Sequence, residues 1–313
     1  MSLYRLLFAD ANFSLAEGSS KRLVTIPCTG SGGPRLSVLP IRSDVEAARG
    51  ARSEIGLTGA SGQTIPARVV TCGTGVPVVF LHGLVGLNEH WEGVVERIRH
   101  RYACRTLELP LLQLNGQDCS IQGVTDLTVQ YLHKHVREPV VLVGNSFGGH
   151  VALRIALRRA SMVRGLVLAG SSGLFERTFV KGAPVRPSRD WLEVKIAELF
   201  HDPGAMNQSD VDRAHVALSE RSGARAMVRL SRSARRNHLG DQIGDIHTPT
   251  LLIWGRNDVV TPPSAAQGFL DLMPNAEIFW IDRCGHAPMI EAPSEFARAM
   301  LDFADRLEQN NER

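Results

Sequence analysis

The chain has no Cys-x-x-Cys pair, and its five cysteines, Cys28, Cys72, Cys104, Cys119 and Cys284, are odd in number and widely spaced. That pattern points away from a zinc site and from a disulfide framework, and it fits a reducing cytoplasm. Long apolar runs are also missing, and none approaches the roughly 18 to 20 residues needed to span a bilayer. After a single Arg, Arg5, only Leu6, Leu7, Phe8 and Ala9 stand before Asp10, too few for the apolar region of a signal peptide. The expectation is therefore a soluble, cytoplasmic protein. Charge of one sign is scarce as well: 35 Lys and Arg stand against 32 Asp and Glu, for a formal net charge of +3. Without a dense basic stripe, nucleic acid is not an expected partner. A glycine-rich phosphate loop and a dinucleotide fingerprint are both lacking, so no cofactor is implied. No metal is implied either, because His133 and His135 stand two apart on an expected helix and face different directions. No internal repeat is present.

What remains is an ordinary globular composition, 43% apolar and 21% charged, in a 313-residue chain that has room for one large domain with an inserted subdomain. From about Ile65, short apolar runs alternate with amphipathic segments. The runs are Ala67 to Val70, Val76 to Leu81, Cys104 to Leu109, Val140 to Val143, Leu166 to Ala169, Thr250 to Trp254 and Glu277 to Ile281. Between them apolar residues recur three and four apart over His90 to Ile98, Ile121 to His135, Gly148 to Arg158, Ser264 to Leu272 and Ser294 to Leu307. The pattern predicts an α/β fold, a mostly parallel central sheet with helices on both faces. It breaks between 172 and 243, where polar helices without strands suggest an inserted helical cap. The expected domains are an irregular N-terminal extension over 1–55, a core in two parts over 56–171 and 244–313, and the cap between those parts. The extension carries a Gly/Ser/Pro patch from Thr29 to Ser37.

The chemistry centres on Val140-Val-Leu-Val-Gly-Asn-Ser-Phe-Gly-Gly149, an apolar strand running into Gly144-x-Ser146-x-Gly148 and then into a helix. A serine on so sharp a turn projects its hydroxyl beyond the carboxyl edge of the sheet, and flanking glycines remove Cβ atoms that would collide there. A serine hydroxyl needs a general base, itself oriented by a carboxylate. Asp258 follows the run Leu251-Leu-Ile-Trp-Gly-Arg-Asn, and His286 follows Ile278-Phe-Trp-Ile-Asp-Arg-Cys-Gly, each just past a strand. Asp282 and Asp245 are alternative acids, less well placed because one is still at a strand end and the other precedes a strand. An oxyanion site needs two backbone N–H donors. Phe147 would give one and Leu84, after Val76-Pro-Val-Val-Phe-Leu-His-Gly83, the other. His82 in that segment is expected to brace the loop. The cap arginines Arg225, Arg229, Arg232, Arg235 and Arg236 are expected to form a solvated face.

The segment from about Ile65 to Phe303 resembles the α/β-hydrolase superfamily, through its His-Gly loop, the Gly-Asn-Ser-Phe-Gly-Gly turn, Trp-Gly-Arg-Asn-Asp and Cys-Gly-His. The resemblance implies an α/β-hydrolase fold with Ser146 as nucleophile, Asp258 as acid, His286 as base, and the amides of Leu84 and Phe147 as oxyanion donors. Among capped serine hydrolases the cap segment Glu198-Leu-Phe-His-Asp-Pro203 looks most similar to meta-cleavage-product hydrolases and related esterases. Those C–C hydrolases usually carry a Ser-Gly-Pro-Gly-like loop and a Trp after the catalytic histidine, where this chain has Leu84-Val-Gly-Leu and Ala287. The expected activity is hydrolysis of a small carboxylic ester through an acyl-enzyme. The alternatives are C–C bond hydrolysis by the same triad, or a non-catalytic ligand-binding protein of this fold. A small-molecule substrate would sit against cap residues, with Phe175, Phe179, Trp191 and Met227 as the expected lining.

Overall fold

A computed structural model of the chain describes residues 50–174 and 187–311. Phe175 and Phe179, and the extension up to residue 49, lie outside the described residues.

Eight strands form one sheet: β1 (Ala51–Thr58), β2 (Thr64–Cys72), β3 (Val76–Leu81), β4 (Tyr102–Glu108), β5 (Val140–Asn145), β6 (Val163–Ala169), β7 (Thr250–Gly255) and β8 (Ala276–Ile281). Their spatial order is β1-β2-β4-β3-β5-β6-β7-β8. The β1/β2 and β2/β4 pairs are antiparallel and all others parallel. The fold is thus the α/β-hydrolase fold, with every expected strand present. β1 is the addition, and residues 51–55, expected in the irregular extension, form its first half. Of its eight residues only Leu57 is buried. A strand at an exposed edge has almost no apolar alternation, which is why the pattern passed over it.

The central strands are apolar on both faces because both faces are covered. Val79, Leu81, Leu142, Leu166, Leu168 and Leu252 face one way, into a core shared with α2 (Ile121–Tyr131), α3 (Phe147–Arg158) and α7 (Pro263–Leu272), of which α3 is the most deeply buried. Alternate residues, Val78, Phe80, Val141, Val143, Val167 and Ile253, face α1 (Glu92–Ile98) and α9 (Pro293–Asn311), the latter contributing Phe296, Met300, Phe303 and Leu307 at helical spacing. Trp91, fully buried, locks this second face by packing its ring at 5.1 Å from Phe80 and 5.8 Å from Phe296.

Between β6 and β7 the described residues hold helices and no strand: α4 (Arg189–Ala197), α5 (Gln208–Ser219), α6 (Arg221–Arg236) and a short 3-10 turn (Gly240–Asp245). On α6 the buried residues Ala226, Leu230 and Ala234 join the main core, while Arg225, Arg229, Arg232, Arg235 and Arg236 are exposed on the opposite side. α4 and α5 close around a small core of their own, Leu192, Val211, Ala214 and Leu218. After β8 comes a single turn, α8 (Pro288–Glu291). No helix among the described residues is long and apolar enough to cross a membrane.

Trp91→Ala should remove about 3–5 kcal/mol of stability, the usual cost of truncating a fully buried large aromatic. Urea unfolding of the variant against the wild-type chain measures it, and a loss below 1 kcal/mol would mean that this face of the sheet does not depend on the aromatic cluster.

Candidate active site

At the carboxyl edge of the sheet the chain turns from β5 into α3 through Ser146, whose backbone lies at φ 52 and ψ −117. A non-glycine residue there costs of order 1–3 kcal/mol and persists only where the surroundings over-determine it. Here they do. A Cβ on Gly144 would lie 2.5 Å from the Gly148 carbonyl oxygen, and one on Gly148 would lie 2.4 Å from the carbonyl oxygen of Leu81 at the end of β3. The Ser146 N–H donates to Ala169 O at the end of β6, and Ser146 O accepts from the amides of His150 and Ser172. The turn is therefore tied to β3, β6 and its own helix.

Asp258 and His286 come from the loops after β7 and β8. Both are buried, and His286 Nδ1 lies 2.9 Å from Asp258 Oδ2. A carboxylate only accepts, so Nδ1 is the nitrogen that donates in this pair. Asp258 is itself oriented by the amides of Val260 and Thr261 on Oδ1, at 2.8 and 2.9 Å, and by the Thr261 hydroxyl on Oδ2 at 2.8 Å. Gly170, at φ +49 just after β6, leaves space for this pair, since a Cβ there would stand 3.0 Å from both Asp258 Oδ2 and His286 Nδ1. The alternative acids lie elsewhere. Asp282 is exposed and paired with Arg256 at 2.7 Å, and Asp245 is exposed at the end of the 3-10 turn.

Three side chains that support this arrangement, Asn145, Glu291 and Thr261, escaped the sequence reading. Asn145, the residue before Ser146, donates through Nδ2 to Ala169 O at 3.0 Å and to His286 O at 3.1 Å, so one buried amide joins the serine turn to the histidine loop. Glu291 in α8 accepts from the Gly285 amide at 2.7 Å with one oxygen and from the His201 amide at 2.7 Å with the other. The His286 amide in turn donates to Leu199 O at 2.7 Å, so the histidine loop and the segment after α4 hold one another. Thr261 alone had a local signal, an Asp followed three residues later by Thr, the spacing of a side chain that accepts from nearby amides. Asn145 and Glu291 act across the fold and had none.

The loop after β3 passes beside the serine, where a Cβ on Gly83 would lie 3.5 Å from Ser146 Cβ. Leu84 follows directly, partly exposed, and Phe147 opens α3 with its side chain buried. His82 is buried and its Nδ1 lies 2.7 Å from Gly83 O, within the same loop. Burial lowers its pKa to about 4, so the ring is neutral near pH 7. A cleft of about 760 Å³ opens between this loop, the Leu109 to Gln113 segment and α5 to α6, with His82, Leu84, Leu111, Ala214, Ala217 and Gly223 among its walls. Trp191 and Met227, expected in a pocket, instead pack against the small core of α4 and α5 and do not border this cleft, because that satellite core has too few other large side chains to close without them. Among the described residues no cluster of His, Cys, Asp or Glu could hold a metal ion.

Residues 78–299 match the model of the alpha/beta hydrolase family. The chain belongs to this family. The hydrolase is 28% identical over 250 residues to the pimeloyl-[acyl-carrier protein] methyl ester esterase of Nitrosomonas europaea, covering 73% of this chain and 95% of that one. It is 26% identical over 259 residues to the 2-hydroxy-6-oxo-6-(2'-aminophenyl)hexa-2,4-dienoic acid hydrolase of Metapseudomonas resinovorans, covering 77% and 88%. Among solved structures, an alpha/beta hydrolase enzyme from the metagenome of sediments from the lagoon of Mar Chica, Morocco, superposes with a TM-score of 0.63 at 30% identity, covering 77% of this chain and 95% of that one.

The hydrolase should lose stability as pH falls from about 6.5 towards 4. His82 and the fully buried His150, whose pKa burial lowers to about 3, stay neutral in the native state. The unfolded chain takes up both protons near pH 6.5, so stability from these groups is complete above that pH and drains away below it, by up to about 2.7 kcal/mol per pH unit for two protons. Denaturant midpoints at pH 7.5, 6 and 5 measure the slope, and His82→Gln should flatten it. A flat wild-type profile would show that neither ring is protected from protonation.

Proposed function

We propose that this hydrolase cleaves small carboxylic esters through an acyl-enzyme formed on Ser146, with His286 as general base and acid and Asp258 as the orienting carboxylate. The observation that carries the reading is the buried His286–Asp258 pair at 2.9 Å, joined through Asn145 to the strained turn that holds Ser146. With Nδ1–H committed to Asp258, Nε2 is the nitrogen left to take the serine proton. Ser146 Oγ attacks the ester carbonyl, the alcohol leaves with the proton returned by His286, and water repeats the sequence to release the acid. The amides of Leu84 and Phe147 stabilise the oxyanion, a reading supported by the nearness of Gly83 to Ser146 and by the position of Phe147 at the N-terminus of α3.

The helical insertion serves as the cap, and the cleft beneath it receives the substrate. Its apolar walls, Leu84, Val85, Leu111, Ala214, Val216 and Ala217, suit an alkyl or aryl group, and Asp210, Arg213 and Glu220 bring charge to the same cleft. C–C bond hydrolysis by the same residues is the second reading, and the observation favouring it is the Metapseudomonas relative, named as the hydrolase of a dienoic acid. The Nitrosomonas relative is named as an ester hydrolase, and the ester reading asks less of the site.

Ser146→Ala should fold normally, lose labelling by a fluorophosphonate and reduce kcat by roughly 10⁴-fold or more on p-nitrophenyl esters. Asp258→Asn should impair turnover strongly, while Asp282→Asn leaves it near wild type. Near wild-type turnover by Ser146→Ala would remove the nucleophile from the proposal. A wild-type enzyme active on a ring-fission diketone and inactive on esters would select the second reading.

Filling the cleft from the cap side, by Ala217→Phe, should shift the preferred acyl length by at least about tenfold in kcat/KM, since an apolar pocket discriminates by roughly 1–3 kcal/mol per methylene. An unchanged chain-length profile in a folded variant would place substrate outside this cleft.

A further inference from the structure

We propose that Cys72 and Cys104 form a peroxide-reactive dithiol that closes to an intramolecular disulfide at the end of the sheet opposite Ser146. Cys72 is the last residue of β2, and Cys104 stands directly across from it in the antiparallel pairing with β4. Residues opposed in this way carry their side chains on one face, with Cα atoms about 4.5–5.5 Å apart, inside the range of about 4.4–6.8 Å that disulfides occupy. The shared face is confirmed four positions along the same ladder, where the register partners Arg68 and Glu108 are ion-paired.

The two thiols differ in setting. Cys104 is buried in the cluster formed by Val78, Val94, Ile98 and Tyr102, and its Sγ lies 3.6 Å from Tyr102 O. Burial pushes this thiol up to about 12. Cys72 is only partly buried, and Arg99, just past α1, directs a guanidinium N–H at its Sγ at 3.7 Å. Cys72 is the sulfur that a peroxide can reach from solvent, and Cys104, its register partner, is the thiol placed to resolve it. Cys119 and Cys284, also buried, lie outside the strands and have no such counterpart in the ladder.

With hydrogen peroxide as oxidant, the Cys72 thiolate attacks one peroxide oxygen, the O–O bond breaks, and Cys72 becomes a sulfenic acid with release of hydroxide. The Cys104 sulfur then attacks Cys72 Sγ, forming the S–S bond and expelling a second hydroxide. The Cys104 thiol proton and the one lost earlier by Cys72 convert both hydroxides to water, so two thiols are oxidised and one peroxide is reduced. Cys104 sits near the start of β4 and Ser146 beyond the end of the parallel β5, so the link leaves the candidate site untouched. It staples the antiparallel edge of the sheet to its parallel part.

Peroxide treatment of the full chain, followed by alkylation, trypsin digestion without reductant and mass spectrometry, tests the pair. Cleavage after Arg68, Arg97, Arg101 and Arg105 gives peptides 69–97 and 102–105. The expected result is these two peptides linked, in monomeric protein, with a higher Tm than the reduced form and unchanged ester turnover. Cys104→Ser should abolish the link and leave a sulfenic acid at Cys72 that dimedone traps. Cys72 recovered unmodified, over-oxidised to sulfinic acid, or linked to any other cysteine in the wild-type chain would overturn the proposal.

Discussion

At Gly144 and Gly148 two backbones approach so closely that a single added carbon would meet carbonyl oxygen at about the length of a short hydrogen bond. That contact lets α3 start directly against the ends of β3 and β5, and it forces Ser146 into the positive-φ conformation between them. The rest of the candidate site is arranged around a point that cannot move. The parallel strands β6, β7 and β8 end beside it, and the loops after them bring Gly170, Asp258 and His286 together.

Rigidity continues outward from that point through side chains that carry no reactive group. Asn145 fastens the histidine loop to the serine strand, and Thr261 holds both carboxylate oxygens of Asp258, through its amide on Oδ1 and its hydroxyl on Oδ2. Glu291 extends the same network into the helical insertion, because one carboxylate accepts amides from both the histidine loop and the segment after α4. Buried polar groups held by several partners at once behave as a unit. The segment after α4 is thereby tied to the His286 loop.

The two ends of the sheet are built differently. At the carboxyl end, glycine-rich turns and buried polar loops build the candidate triad, and the loop after β3 borders both the serine turn and the cleft. At the other, Cys72 and Cys104 face one another beside Arg99 at the junction of antiparallel and parallel strands. Between the two ends the strands are packed by α1 and α9 on one face and by α2, α3 and α7 on the other.

The alternating apolar runs, the Gly-x-Ser-x-Gly turn and the positions of Asp258 and His286 just past two strands were legible in the chain itself. Each of these depends on residues near in sequence: periodicity decides strand or helix, and a small residue beside a serine decides how sharply a strand can turn. β1 was not legible, because a strand exposed along most of its length has little apolar pattern to display. Nor was the division of labour among the large apolar residues of the insertion, since Trp191 and Met227 have the same chemistry whether they line a cleft or close a small core. The pairing of Asn145 with His286 O, of Glu291 with Gly285 and His201, and of Cys72 with Cys104 came only with the tertiary structure. Most of these contacts join segments tens of residues apart, 141 for Asn145 with His286 and 90 for Glu291 with His201, and sheet register and the return of α8 to the histidine loop, not local propensity, bring them together.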